Sequence, residues 1–337
     1  MKKMRNPQGV KSLCAGLLLI GTLASTCKAD LSGWITFTLD DNGAAHIWAV
    51  RADGTGLTQL VSMPGKQLEP AWSPDSRKIV YTTGSDAQVW VYDWASKTNT
   101  QIYDGGDYGG QAYVGTATWS PDGRRILFFE QGLGDHHLTV INADGTGRAV
   151  VPVQGSSPRG PSWSPSGTAF AYDSPEGLWL YDFTATGDIL SGTNHQLLAD
   201  RVADPDWGPN SEIAFGTSAA NLAIMAPGQS PDWTDPAHAT MTLLTNDAGW
   251  PFHHYAQPTW SPDGSHLVYA RLTTDGAVDL WTMDFSTLTQ TRLTNLEGYS
   301  YYPDWGNPDA VPVPGAVLLG CLGLGTALGI LRRHGTR

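Results

Sequence analysis

Two pairs of adjacent histidines could supply ligands to a metal ion. They are His136-His137 and His253-His254. Imidazole and carboxylate groups would be the available ligands, because residues 30–310 contain no cysteine. The two pairs fall in repeats that we place on opposite sides of the fold, and no EF-hand pattern with its terminal Glu is present. We therefore predict no metal site and no cofactor.

Aromatic residues with polar tips are concentrated in three connecting segments, 103–116, 246–257 and 296–302. Such side chains on loops are suited to the recognition of peptides and sugars. The alternative is that they fill the mouth of a channel and pack on one another. We predict a binding site made by Tyr108, Tyr113, Trp250, Phe252, His253, His254, Tyr255, Tyr299 and Tyr301.

Sequence signatures of catalysis are absent. The chain has no Gly-x-Ser-x-Gly elbow, no phosphate-binding loop and no dinucleotide-binding fingerprint. We therefore assign no catalytic residue. The enzyme that stays open is a lyase or hydrolase acting on polysaccharide, with a metal held in a central channel by a set that includes His253 or His254.

The charges exclude one class of partner. The chain has 20 Lys and Arg against 32 Asp and Glu, and 8 of the basic residues lie in the two terminal segments. Residues 30–310 therefore carry a net charge of −20. So acidic a body repels phosphate backbones, and we expect no nucleic-acid partner.

A Trp-centred motif recurs six times and must position these side chains. The copies are PAWSPDS (70–76), ATWSPDG (117–123), PSWSPSG (161–167), PDWGPNS (205–211), PTWSPDG (258–264) and the truncated PDWGNPD (303–309). Their tryptophans are 44 to 53 residues apart, a period typical of β-propeller blades. Each copy is followed by a turn rich in Pro, Asp and Gly and by β-rich runs, so we predict four antiparallel strands per blade.

The first and last units are each incomplete. Residues 33–61 lack the Trp-centred strand, and Tyr302–Trp305 is that strand with nothing after it. We therefore predict an all-β, six-bladed propeller over residues 30–310, with the ring closed by the C-terminal strand that completes blade 1.

This repeat resembles the WD-like β-propeller repeat of the TolB family, over roughly residues 31–307. The resemblance implies the propeller fold. It constrains function poorly, because related propellers bind proteins or peptides in the periplasm, cap peptidases or hold a metal as lyases.

Both ends of the chain carry targeting features. Residues 1–29 have the basic start, apolar run and small residues of a secretory signal peptide, with a lipoprotein site at Cys27 as the alternative. Residues 311–337 resemble a PEP-CTERM sorting signal: a Pro-x-Pro motif, an apolar stretch over 315–331 that would form a transmembrane helix, and Arg332-Arg333. A simple C-terminal membrane anchor is the alternative.

Together these features predict an exported binding or scaffold module. We expect a monomer at the cell surface or on the periplasmic side of a Gram-negative envelope. Its partner would be an envelope protein, a peptide or an exopolysaccharide.

Overall fold

The computed structural model describes residues 31–308 except 85, 106–111, 133, 220, 228–240, 247–256 and 274–275. In this part of the chain, no helix is long and apolar enough to cross a membrane. The predicted signal peptide and C-terminal tail lie outside the described residues. So do six of the predicted site residues, Tyr108, Trp250, Phe252, His253, His254 and Tyr255.

The described residues form 24 strands. The first seven are β1 (Trp34–Asp41), β2 (Ala44–Arg51), β3 (Thr58–Val61), β4 (Leu68–Trp72), β5 (Lys78–Thr82), β6 (Gln88–Asp93) and β7 (Thr98–Asp104). The next eight are β8 (Tyr113–Trp119), β9 (Arg125–Gln131), β10 (His136–Asn142), β11 (Ala149–Val151), β12 (Arg159–Trp163), β13 (Ala169–Ser174), β14 (Gly177–Asp182) and β15 (Thr193–Leu198). The last nine are β16 (Val202–Trp207), β17 (Ile213–Thr217), β18 (Leu222–Met225), β19 (Met241–Leu243), β20 (Thr259–Trp260), β21 (His266–Leu272), β22 (Val278–Asp284), β23 (Gln290–Arg292) and β24 (Tyr299–Gly306).

The fold is an all-β propeller with four-stranded antiparallel blades. Four sheets are separate blades, formed by β4–β7, β8–β11, β12–β15 and β16–β19. The remaining eight strands form one sheet, in which β24 pairs antiparallel with β1, as predicted from the incomplete first and last units. We call β4, β8, β12, β16, β20 and β24 the inner strands, because each carries a Trp-centred motif and residues beside all six line the same central channel.

The six predicted blades do not appear as six separate sheets among the described residues. The described residues give four separate blades and one eight-stranded sheet. The cause is a parallel pairing between Val278 of β22 and Tyr299 of β24. This pairing connects the strand set β20–β23 to the set β24, β1, β2 and β3, which would otherwise be two sheets.

Where the motif reads Trp-Ser-Pro-Asp, side chains fix the turn that follows the Trp. In the first copy, the Ser76 N–H donates to the Ser73 carbonyl at 2.7 Å, which closes a β-turn. The Asp75 carboxylate accepts the Ser73 hydroxyl at 2.7 Å, and the same hydroxyl oxygen accepts the Lys78 N–H at 2.9 Å. Ser, Pro and Asp thus return the chain from an inner strand into the second strand of its blade.

Where the residue after the motif Trp is Gly, the Trp of the next inner strand packs directly against it. A Cβ added to Gly306 would lie 2.4 Å from the Trp72 ring, and one added to Gly208 would lie 2.7 Å from the Trp260 ring. Neighbouring blades therefore meet through an indole packed on backbone. The second and third strands of each blade are nearly continuously buried, as in β9, because blades cover them on both faces.

Candidate binding site

One residue in each inner-strand segment adopts left-handed backbone geometry, with φ between 31° and 56°. These six residues occupy the same place in each repeat, three positions before the Trp. Five of them are not glycine, so their backbone geometry is unfavourable in isolation. We call them the channel ring: Glu69, Thr116, Gly160, Asp204, Gln257 and Tyr302.

A β-bulge accompanies the left-handed residue. The pairing of β4 with β5 shifts register between Leu68 and Ala71, and the pairings of β8, β12 and β16 with their neighbours shift at the equivalent place. A bulge leaves a residue outside the ladder and redirects its side chain. All six residues of the channel ring line the central channel, which has a volume of about 110 Å³ here.

Side chains of the ring connect neighbouring blades. The Glu69 carboxylate accepts the backbone N–H of Thr116, and the Gln257 side-chain oxygen accepts the backbone N–H of Tyr302 at 2.9 Å. At the glycine of the ring a residue from another strand takes this part: Asp173 of β13 accepts the Asp204 N–H at 3.3 Å. The channel wall is therefore bonded from one blade to the next.

A second set of links lies one residue before the Trp. The Asp304 carboxylate accepts the Trp72 N–H at 2.5 Å, and the Asp206 carboxylate accepts the Trp260 N–H at 2.8 Å. Because these donors are backbone groups of the neighbouring blade, both carboxylates have a structural role. Burial raises the pKa of Asp304 to about 7 and also raises that of Asp206.

A cavity of about 570 Å³ adjoins the channel on the side away from the tryptophans. Four residues of the channel ring, Glu69, Thr116, Asp204 and Tyr302, line both spaces. The cavity wall also includes Tyr113, Phe129, His136, Arg159, Asp173 and Arg201. This volume suits a short peptide segment or a few sugar units.

Three carboxylates give the cavity its electrostatic character. Burial raises the pKa of Glu69 to about 7, opposed by the hydrogen bond from Thr116. Burial and the charge of Asp204 raise the pKa of Asp173 to about 7. Burial raises the pKa of Asp204 itself to about 6, opposed by the charge of Arg159. Their remaining exposure is to the cavity, so each carboxylate is poorly solvated when ionised.

Arg159 is the cation whose charge acts on Asp173 and Asp204. Its guanidinium lies 5.2 Å from the centre of the Phe129 ring, and its Nε donates to the Ser157 hydroxyl at 3.3 Å. It forms no salt bridge with Glu69 or Asp173. The guanidinium is therefore tethered at the wall and balances the acidic groups only from a distance.

Of the predicted site residues, the structure describes Tyr113, Tyr299 and Tyr301, and among these three Tyr113 alone lines the cavity. Tyr113 lines the cavity, and its hydroxyl donates to Glu69 at 3.3 Å. The Tyr301 hydroxyl donates to Asp40 at 3.1 Å, and its ring packs edge-on to Tyr302 at 5.5 Å. Tyr299 is exposed on the outside of the same strand. The binding role of these residues stays a prediction.

Sequence reasoning missed the charged residues of the cavity. Glu69 and Asp204 are not among the predicted site residues, although a signal is present: each stands directly before the Pro of its motif, at a position that differs from copy to copy. Asp173 and Arg159 gave no such signal. They reach the cavity only because β12 and β13 bulge at Gly160, where an added Cβ would lie 2.6 Å from the Asp173 carboxylate.

The adjacent histidines His136 and His137 contact different partners. His136 lines the cavity with its Nδ1 2.7 Å from the Ser157 hydroxyl, whereas His137 lies 3.4 Å from the carboxylate of Glu130. Within the described ranges, no group of three His, Cys, Asp or Glu side chains is arranged to hold a metal ion. The part of the metal hypothesis that concerns His253 and His254 lies outside these ranges.

A comparison with protein families agrees with the propeller geometry. The family model described as PD40, TolB beta propeller domain, matches residues 32–211, which is more than half of the chain. The chain belongs to the TolB β-propeller family. The resemblance expected from the Trp-centred repeats is thereby confirmed at the level of the family.

Individual relatives match shorter stretches. The uncharacterized protein Atu1656 of Agrobacterium fabrum is 30% identical over 104 residues, which is 28% of this chain and 35% of that protein. The Tol-Pal system protein TolB of Gluconobacter oxydans is 32% identical over 108 residues, 30% of this chain and 24% of that protein. The matched stretch is thus about a third or less of each relative's length.

A solved structure shows the same fold. TolB from Acinetobacter baumannii superposes with a TM-score of 0.66 at 21% identity, covering 82% of this chain and 67% of that one. At this level of identity the likeness concerns the fold alone.

Proposed function

We propose that this chain is a non-catalytic binding module, and that the cavity beside the channel ring takes up a segment of a partner protein. The observation that carries the proposal is the ring itself. Six repeats hold a strained backbone geometry at one place, keep the Trp three positions later, and vary the residue that faces the channel. Glycine, the residue that this backbone geometry favours, occurs in only one repeat of six.

A protein segment fits this cavity better than a sugar chain. The wall combines Tyr113 and Tyr302 with the carboxylates of Glu69, Asp173 and Asp204. These carboxylates can pair with the charged groups of a protein segment and would repel an acidic polysaccharide. Similarity to relatives named for the Tol-Pal system supports a protein partner. An exopolysaccharide ligand is the alternative outcome of the tests below.

The finer architecture and location belong to the same proposal. The eight-stranded sheet counts as two blades, because its two four-stranded sets are antiparallel within themselves and joined by a parallel pairing. A six-bladed ring exported by residues 1–29 and sorted by residues 311–337 would present the cavity outside the cytoplasm, at the cell surface or in the periplasm.

Site-specific photo-crosslinking in intact cells tests the binding function. A benzophenone amino acid placed at Ser218, on the exposed rim of the cavity, should crosslink a discrete partner. The same group at Arg124, on an exposed turn at the Trp end of the inner strands, is the matched control. The proposal fails if both positions crosslink the same products, or if Ser218 yields none.

The polysaccharide lyase or hydrolase hypothesis has its own test. It requires a bound metal held by a set that includes His253 or His254, residues outside the described ranges. Elemental analysis of the purified chain, before and after substitution of both histidines by Ala, decides it. A stoichiometric metal that is lost with the substitution would favour the enzyme.

A further inference from the structure

We propose that the group the cavity selects is a cationic side chain, a lysine ammonium or an arginine guanidinium, on the bound protein segment. This inference rests on the proposed binding function and names the chemistry that the cavity recognises. It is carried by three carboxylates, one of which lacks a donor, and by aromatic walls suited to the stem of a long cationic side chain.

The Asp204 carboxylate carries most of the argument. It lies on the channel ring and lines both the channel and the cavity. No described residue donates a hydrogen bond to it, and no described Lys or Arg forms a salt bridge with it. A poorly solvated carboxylate without a donor is costly to the folded protein, and a bound cation would supply the missing partner.

Glu69 and Asp173 add two further carboxylates to the cavity wall that Asp204 lines. Glu69 accepts hydrogen bonds from the Tyr113 hydroxyl and the Thr116 N–H, and Asp173 accepts one from the Asp204 N–H. All of these donors are neutral, and both carboxylates keep further acceptor capacity toward the cavity. Facing the three carboxylates are Arg159 and Arg201 on the wall and His136. Arg159 opposes the raised pKa of Asp173 and Asp204, and its guanidinium is held beside Phe129 and Ser157.

The aromatic walls fit the rest of a cationic side chain. Tyr113, Phe129 and Tyr302 line the cavity on the side of Glu69. Ring faces attract cations and cover aliphatic stems, and Arg159 already stacks on Phe129 in this way. Glycine at position 160 leaves the room in which Asp173 approaches the channel. The cavity thus offers an acidic end and apolar sides.

The test uses a library of random heptapeptides selected on the purified full chain. Selected peptides are remade with each Lys replaced by norleucine, which keeps the stem and removes the charge, and each Arg replaced by citrulline. Binding is measured by fluorescence anisotropy. We expect Lys or Arg to be enriched at one position, and its neutral replacement to weaken binding at least tenfold.

Two variants assign the effect to the cavity. Asp204→Asn should weaken the Lys peptide at least fivefold and leave the norleucine peptide unchanged, while Asp86→Asn, an equal charge change at an exposed residue, should alter neither. Arg159→Gln should strengthen the Lys peptide, because it removes the opposing cation. If Asp204→Asn lowers stability in urea, the effect of Arg159→Gln on binding of the Lys peptide still tests the inference.

The outcomes separate the two proposals. Enrichment of Asp or Glu, equal binding of the norleucine peptide, or loss of binding with Arg159→Gln overturns the cationic-ligand inference, even where crosslinking at Ser218 succeeds. Displacement of the peptide by putrescine at a lower concentration than the peptide itself would also overturn it, since a free amine would then be the ligand. A library without binders, together with no crosslink from Ser218, contradicts the binding function as a whole.

Discussion

The side-chain oxygen of Gln257 accepts the backbone N–H of Tyr302 at 2.9 Å, and Glu69 makes the same link to Thr116 from the equivalent position of another inner strand. The architecture therefore accepts either an amide or a carboxylate at this place. The choice between them changes the charge of the channel, while the connection between blades stays the same.

Glu69→Gln should stabilise the protein at alkaline pH. The pKa of Glu69 is raised from 4.5 to about 7, so the folded state binds more protons than the unfolded state between these values. Stability therefore falls as the pH rises through this range, by up to about 3 kcal/mol for this group. Glutamine avoids that cost and keeps the acceptor. Urea unfolding should show a gain at pH 8 that nearly vanishes at pH 5.

The control for this change is Glu297→Gln, an exposed residue at which no pH-dependent difference is expected. An equal gain in stability for Glu69→Gln at pH 5 and pH 8 would show that the gain does not come from removing an ionised carboxylate. Because Gln257 makes the equivalent link with an amide, we expect the Glu69→Gln variant to fold.

Glu130→Gln should have the opposite pH dependence. Burial acts to raise the pKa of Glu130, but hydrogen bonds from Thr139 and Tyr103 and the guanidinium of Arg148 outweigh it, so the pKa is lowered. A lowered pKa stabilises the folded state above the unfolded value near 4.5, and this stability is lost as the pH falls. We expect the variant to lose about 1–3 kcal/mol at pH 7 and less at pH 4, measured by urea unfolding.

Arg148→Met is the companion variant, because it removes the cation and keeps the length of the side chain. It should raise the pKa of Glu130, observable by NMR titration of the Glu130 side-chain carboxyl carbon. An unchanged pKa would mean that the two hydroxyl donors alone hold the carboxylate ionised.

The fold followed from the sequence because its signal is repeated. The Trp, its Ser or Gly, and the turn residues recur six times, and each has a packing or hydrogen-bonding reason that acts within one motif or between adjacent ones, as with Gly306 and Trp72. The joining of two strand sets through Val278 and Tyr299 could not be inferred, since one parallel pairing leaves no pattern in the sequence.

The site was only partly predictable for a related reason. Tyr113 is predicted from its residue type in segment 103–116, and it lies at the start of β8. Asp173 and Asp204 lie 31 residues apart in strands that read as structural, and their approach depends on bulges in two different sheets. A residue's distance from the channel axis follows from how the blades close on each other, which local patterns do not encode.

Asp304→Ala should weaken the contact between the first and last parts of the chain. The Asp304 carboxylate accepts the Trp72 N–H at 2.5 Å and the Thr259 hydroxyl at 3.2 Å. Alanine leaves the buried N–H without an acceptor, at a cost of about 1–3 kcal/mol. Asp304→Asn, which retains one acceptor oxygen, should cost less. Hydrogen exchange at Trp72 should increase in the alanine variant, and equal exchange in both variants would contradict the assignment.

Gly306→Ala should be among the most destabilising single-methyl additions in the chain. Its Cβ would lie 2.4 Å from the Trp72 ring, so the indole or the inner strand has to move. Other motifs carry Ser at this position, so the backbone itself tolerates a Cβ atom. The cost at Gly306 therefore comes from the close approach of the Trp72 ring. Overpacking of this kind costs about 1–3 kcal/mol, read as a fall in the urea midpoint. Gly132→Ala, whose Cβ would meet no atom within 4 Å, is the control and should change the midpoint little. Equal effects of the two substitutions would show that the indole does not pack tightly on the preceding blade.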